Sequence, residues 1–275
     1  MKTRWIATPY IVWMIIFTVV PLLLVFFFSV TVQTDDGIVF TLEHFKKLME
    51  PIYLKVLLRS ILLAFVSTLV CLVLGYPMAM ILASSDLKRK NVLVFLFVAP
   101  MWMNFLLRTY AWLTLLEKNG LINSVLSIFG IKPLNLLYNN LAVLLGMVYN
   151  FLPFMVLPIY SVLSKVDKSV IEAAQDLGAN NFKVFTKVTF PLSLPGVASG
   201  ITMVFMPAVT TFVVPRLLGG AQFTLIGNLI ERQFVLVGDW NFGSAISIVM
   251  MILILISMGI MSRYETESVE GGFFG

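Results

Sequence analysis

The chain has one cysteine and one histidine among 275 residues. Cys71 alone cannot close a disulfide within the chain, and with His44 it cannot assemble a His/Cys zinc site. Cys71 sits in an apolar run and reads as a small buried or lipid-facing hydrophobe, and His44 in a polar loop as a solvated side chain. Charge is scarce as well: 12% of residues are Asp, Glu, Lys or Arg, against about 25% in soluble domains. No Gly-Lys dipeptide occurs, so the Gly-rich cradle with its Lys that holds nucleotide phosphates is missing and the chain is not expected to hydrolyse ATP. Catalysis by His or Cys has almost no material to work with. The fifteen methionines fall in no repeated Met-rich loop and read as packing, not a metal path.

What fills the chain instead is apolar, 59% of residues with a mean hydropathy of +0.96. A bilayer core of about 30 Å needs roughly 20 apolar residues in helix. Six runs qualify: 9–32, 60–83, 92–116, 141–164, 192–215 and 242–262. Lipid cannot satisfy backbone polar groups, and no alternating pattern suggests a barrel, so the fold class is an all-α integral membrane protein with six transmembrane helices in one domain spanning 1–275. Lipid is then a partner, and the net charge of +5 is read as basic loops and not as a nucleic-acid surface. The first run is too long for a cleaved signal and lacks an A-x-A site, so it is read as a retained span. Lys and Arg concentrate in short connectors such as "DLKRKN" and around Lys165, Lys168, Lys183 and Lys187, which places the N- and C-termini in the cytoplasm. On the outer side, Leu42, Phe45, Leu48 or Met49, and Ile52 mark an amphipathic surface segment; Ile122, Val125 and Ile128 or Phe129 mark another.

One stretch departs from this oily background, "EAAQDLGANNFKVFTKVTFPLSLPG" from Glu172 to Gly196, within a polar connector over about 165–191. Ser169 with Glu172 makes a capping box, and Asp167 offers a second N-cap. Val170, Ala174 and Leu177 form one apolar stripe, with Glu172, Gln175 and Asp176 on other faces. Gly178 stands where a helix C-cap needs a left-handed backbone. A second short helix follows "ANN", with Phe182 and Phe185 on one side, ended by Pro191 and Pro195. Two short helices joined by a tight turn suit a protein-docking knob; an interfacial helix needs no such turn.

This stretch resembles the EAA loop of permease subunits of ATP-binding-cassette importers with the type I (MetI-like) fold, matching at Glu172, Ala173, Ala174, Gly178, Val188 and Pro191. Segments such as "APMWMNFLLRTYAW" and "IGNLIERQFVLVGDWNFGSAIS" extend the resemblance over most of the chain, toward the first permease subunit of spermidine/putrescine importers. The resemblance implies a bacterial inner-membrane permease, not an enzyme, paired with a homologous second permease. It further implies two copies of an ATPase that hold ATP and Mg, and a periplasmic polyamine-binding protein. No cofactor or metal is expected on this chain. Glu172, Ala173, Ala174, Asp176, Leu177, Gly178, Phe182 and Pro191 would then make the ATPase-coupling surface.

A polycation favours aromatic faces and carboxylates. The candidates for its path are Trp102, Asn104, Tyr110, Glu117, Tyr149 and Asn150, with Glu231, Asp239 and Trp240 near the sixth span. The spans hold no carboxylate, which leaves open another small solute such as an amino acid, sulfate or thiamine; a six-span membrane enzyme is the remaining alternative. Arg108, the only charge well inside a span, is expected to snorkel or to pair with a carboxylate such as Glu117 or one on the second permease. Pro207 is the hinge candidate, because Thr210 and Thr211 can bond loosened carbonyls.

Overall fold

The computed structural model describes residues 3–34, 37–84, 87–220 and 223–270. Lys2, Asp86 in the "DLKRKN" connector and the last five residues of the tail lie outside the described residues. Among the described residues, five helices are long and apolar enough to cross a membrane: Thr8–Ser29, Pro51–Ser84, Asn140–Leu163, Asn181–Thr210 and Trp240–Ser262. A sixth crossing exists only if a bent pair, Val92–Trp102 and Phe105–Ile128, is counted as one.

That pair is the first departure from expectation. The apolar run 92–116 is not one helix but two, bent by 91° where Met103 and Asn104 leave helical geometry. Pro100 shifts the end of the first piece into a 3₁₀ turn, and Met103 adopts extended backbone. Asn104 then restarts the chain by accepting the Leu106 amide at 2.8 Å, an N-cap to the helix Phe105–Leu116.

The core lies where Pro51–Ser84, Asn140–Leu163 and Asn181–Thr210 meet, and lipid gives helices no hydrophobic drive to associate, so close backbone approach has to do the work. Gly75 and Gly200, on the second and fifth spans, both face Met155 of the fourth, where an added Cβ would come within 3.1 Å and 2.8 Å of its side chain. Gly196 lies as close to the Pro158 carbonyl. The first span packs along the sixth, outside this core, and Asn241 ties the two ends together by donating to the carbonyls of Phe28 and Thr31.

Prolines shape the long helices without ending them. A π-turn at Ile15–Val19 precedes Pro21, and another at Phe185–Thr189 precedes Pro191. A proline ring clashes with the carbonyl four residues back and donates no N–H, and the wider π-turn relieves both faults. Contrary to expectation, Pro191 and Pro195 therefore do not terminate the short helix after Gly178; it runs on from Asn181 to Thr210 as the fifth span. The helix also continues through Pro207, and the Thr210 hydroxyl bonds the Met206 carbonyl at 3.1 Å. The break comes later, at Thr211, whose extended backbone leads into a separate helix Val213–Leu218.

At the end of the bundle away from the Gly178 turn, Thr31–Thr34 and Gly37–Phe40 form an antiparallel hairpin with Thr31 opposite Phe40. The short helix Glu43–Leu48 packs on the sixth span with Leu48 buried, while Leu42, Met49 and Ile52 stay exposed, so the expected apolar face is divided between core and surface. His44 is half-buried and bonded to the Thr31 carbonyl at 3.1 Å rather than solvated. In the helix Leu121–Ile128, buried Asn123 clamps the following loop, bonding the Leu134 amide and the carbonyls of Glu117 and Leu134.

Candidate functional site

The polar connector folds into two helices, Lys168–Asp176 and the leading turns of Asn181–Thr210. Asp167 caps the first, its carboxylate accepting the Ser169 amide at 3.0 Å. The expected Ser169–Glu172 box does not form, because Asp167 takes the extended cap conformation and moves Ser169 inside the first turn. Hydrogen bonding from the Ser169 backbone, and then from its side chain, holds the Asp167 carboxyl below its ordinary value of 3.8. Since the shift is downward, the ionised cap favours the folded hairpin above the ordinary value and loses that contribution as pH falls through the lowered one. Hydrogen exchange at the Val170 and Ile171 amides is therefore expected to be slow at neutral pH and to accelerate in acid relative to the intrinsic rate. Asp167→Asn should remove that acid-induced loosening, and an unchanged acid response in Asp167→Asn would contradict the capping role.

The first helix ends as its sequence demands. Gly178 has φ +81°, its amide bonds the Gln175 carbonyl at 2.8 Å, and the Ala179 amide bonds the Ala174 carbonyl at 3.1 Å. Those two bonds are the Schellman pair, which fills orphan carbonyls at a helix end. Asn180 then caps the second helix by accepting the Lys183 amide at 2.9 Å.

The turn thrusts apolar groups outward. Leu177 is 89% and Phe182 73% exposed, with Val170 also exposed beside the half-buried Ala174. Glu172, Ala173, Asp176, Gly178 and Pro191 are exposed as well, so all the expected coupling residues but Ala174 are presented at the surface. Lys165, Lys168, Lys183 and Lys187 surround them. Behind the hairpin is a cavity of about 830 Å³, lined by Met80 and Ala83 of the second span, Ile171 and Gln175 of the hairpin, and Val184 and Phe185 of the fifth.

The six path candidates are not gathered into one pocket. Asn104 is occupied as the N-cap described above. Trp102 is 74% exposed and rests edge-on against Phe95; Tyr110 is exposed one helix further on. Tyr149 packs edge-on against Trp112 at 5.3 Å, joining the third element to the fourth span. Asn150 is buried, its amide group donating to the Gly146 carbonyl and its Oδ1 without a partner among the described residues. Glu117 lines a separate cavity of about 520 Å³ with Lys118 and Asn139.

Arg108 neither snorkels nor pairs with Glu117. It is 7% exposed, with its Nε unpartnered among the described residues and its guanidinium 6.0 Å from the Phe105 ring. Nine residues of helix carry Glu117 about 13 Å along the axis and onto the opposite face, beyond its reach. The carboxylates near the sixth span are also engaged. Glu231 binds Arg216 at 2.8 Å; Asp239 pairs with Lys47 at 3.5 Å and accepts the Phe242 amide.

A contact that sequence reasoning missed lies just above the cavity. The Tyr76 hydroxyl of the second span meets Ser193 Oγ of the fifth at 2.8 Å, and both residues are buried. A lone tyrosine and a lone serine 117 positions apart carry no sequence signal of pairing.

Residues 72–267 match the family described as binding-protein-dependent transport system inner membrane component. The chain is 40% identical over 270 residues to the spermidine/putrescine transport system permease protein PotB of Escherichia coli (strain K12), covering 94% of this chain and 97% of that one. It is 39% identical over 258 residues to the PotB of Haemophilus influenzae, covering 91% and 90%. Among solved structures, a bacterial ABC transporter involved in the import of the acidic polysaccharide alginate superposes with a TM-score of 0.80 at 17% identity, covering 95% and 96%. The alginate transporter in complex with an alginate pentasaccharide-bound periplasmic protein gives 0.78 at 16% identity, covering 96% and 95%.

Proposed function

We propose, from the premise that this chain belongs to the family of binding-protein-dependent transport system inner membrane components, that it forms half of the translocation pathway of an ATP-driven importer for the polyamines spermidine and putrescine. The chain is a permease subunit of the inner membrane and not an enzyme. The hairpin carries the reading: an apolar tip of Leu177 and Phe182, held out on a Schellman turn, in a chain that aligns with a spermidine/putrescine permease along nearly its whole length. Exposing two large apolar side chains to water on a built turn is unfavourable for the chain alone and favourable once a partner covers them.

The partner is an ABC ATPase, two copies serving this chain and a homologous second permease, with ATP and Mg held on the ATPase. The lysines around the hairpin support a cytoplasmic position for it, and for both termini with it. A periplasmic polyamine-binding protein delivers cargo at the opposite end. ATPase closure draws the paired hairpins together, and because the hairpin's second helix is continuous with the fifth span, the displacement enters the membrane as motion of a rigid rod. The exposed face of Trp102, Leu106 and Tyr110 contributes this chain's wall of the path, completed by the second permease.

A second cargo reading has one observation in its favour: Glu231 and Asp239 are already paired with Arg216 and Lys47, so neither is free to meet a polycation. Uptake into proteoliposomes carrying the assembled system decides between them. Labelled spermidine or putrescine is expected to accumulate only with internal ATP-dependent turnover and the binding protein. Accumulation of an amino acid, sulfate or thiamine in its place would replace the polyamine reading.

A further inference from the structure

The coupling hairpin and the second span are kept apart by the cavity of about 830 Å³, whose walls include Met80 and Ala83 on one side and Ile171 and Gln175 on the other. At its inner wall stands Phe185, the first residue of the π-turn that precedes Pro191. There three rings close on one another: Tyr76 to Phe185 at 5.7 Å and nearly perpendicular, Tyr76 to Phe190 at 5.7 Å, and Phe185 to Phe190 at 6.0 Å. The Tyr76–Phe185 contact is edge-to-face, an arrangement that stabilises beyond the area it buries.

The hydroxyls add direction. Ser193 Oγ donates its proton to the Phe190 carbonyl at 2.8 Å, so in its contact with Tyr76 it must accept. The chain is thus Tyr76 O–H to Ser193 Oγ to the Phe190 carbonyl, while the Phe190 amide bonds the Phe185 carbonyl and closes the π-turn. Tyr76 therefore holds both ends of that turn, Phe185 and Phe190 by their rings and the Phe190 carbonyl through Ser193. A π-turn differs from α-helix by one residue of register, so slipping it would rotate the hairpin relative to the fifth span.

We propose that Tyr76 is a positioning residue for energy coupling: with Ser193 it fixes the register of the Phe185–Thr189 π-turn and carries displacement of the hairpin into the second span. The inference rests on the reading that the hairpin docks an ATPase, and adds the route by which that push reaches a span with which the hairpin shares a cavity instead of a packed interface.

The test uses the complete assembly in proteoliposomes and measures labelled solute imported per ATP hydrolysed, together with recovery of the ATPase on the purified permease. Tyr76→Phe keeps the rings and loses the hydroxyl bond; Ser193→Ala loses the same bond and, with it, the bond to the Phe190 carbonyl. Tyr76→Phe is expected to lower the ratio by about 2- to 10-fold, the span of one net hydrogen bond, and Ser193→Ala by at least as much. The Tyr76→Phe, Ser193→Ala double variant should be no worse than Ser193→Ala alone, since the bond lost in Tyr76→Phe is already absent there. Tyr76→Ala, which also removes the ring contacts, should lower the ratio further. ATPase recovery should be unchanged in the two single conservative variants. An unchanged ratio in both, or a double variant whose loss is the product of the singles, would overturn the proposal. A fall in membrane yield with a normal ratio would also overturn it, since that is the mark of a purely structural contact. Failure of the unsubstituted chain to recover an ATPase would instead remove the docking reading beneath it.

Discussion

Replacing Gly178 with valine is expected to leave the chain inserted in the membrane while disconnecting it from its ATPase. At φ +81° a Cβ collides with the following carbonyl, a penalty of about 1–2 kcal/mol for any L side chain and more for a branched one. No neighbouring atom lies within 4 Å of the new Cβ, so the cost is entirely backbone conformation and the core is untouched. The hairpin escapes the strain by giving up the two Schellman bonds, which moves Leu177 and Phe182 away from their presented positions. Transport-coupled ATP hydrolysis should fall at least about tenfold, the equivalent of about 1.4 kcal/mol. Gly178→Asn should retain most of the coupling, because asparagine tolerates the left-handed region. Normal coupling in Gly178→Val would contradict the docking role of the turn.

Leu177 offers the second large effect. At 89% exposure its side chain contributes almost nothing to the chain's own packing. If an ATPase groove covers it, burial contributes about 1.5–3 kcal/mol, so Leu177→Ala should weaken association about 10- to 100-fold. Leu177→Glu should weaken it further, since it places a charge in the covered site. Thermal unfolding of the isolated permease should be unaltered by either change, which separates docking from folding. Binding measured by titrating the purified ATPase onto permease in nanodiscs gives the answer; equal affinities for Leu177 and Leu177→Glu would place the docking surface elsewhere.

The hairpin was the most legible part of the sequence because its determinants are local. A glycine at the left-handed position, polar caps on both sides and an apolar stripe all act within one or two turns, and Gly178, Asp167 and Asn180 carry them. The preference for Ser169 over Asp167 as the cap failed for a small reason: both residue types cap well, and which one leaves the helix is decided by the chain before it. The run 92–116 shows a different limit. Hydropathy responds to composition and is blind to direction, so a 91° bend inside a uniformly apolar run leaves no mark except Pro100 and Asn104. Prolines misled in the fifth span because a π-turn upstream of Pro191 absorbs what would end an ordinary helix. Arg108 is read from sequence as seeking water, Glu117 or a carboxylate of the second permease; in a bent element its helix faces inward against Phe105 and away from both water and Glu117. The Tyr76–Ser193 bond could not be read at all, since it depends on how two spans pack.

ATP hydrolysed on a partner is expected to drive this chain through the Gly178 hairpin to move a polyamine. The most direct test is the ATPase rate of the reconstituted assembly, with and without spermidine-loaded binding protein, in the unsubstituted and Gly178→Val forms. Strong stimulation by the loaded binding protein is expected in the unsubstituted form and little or none in Gly178→Val. Equal stimulation of both forms, or none in the unsubstituted form, would contradict it.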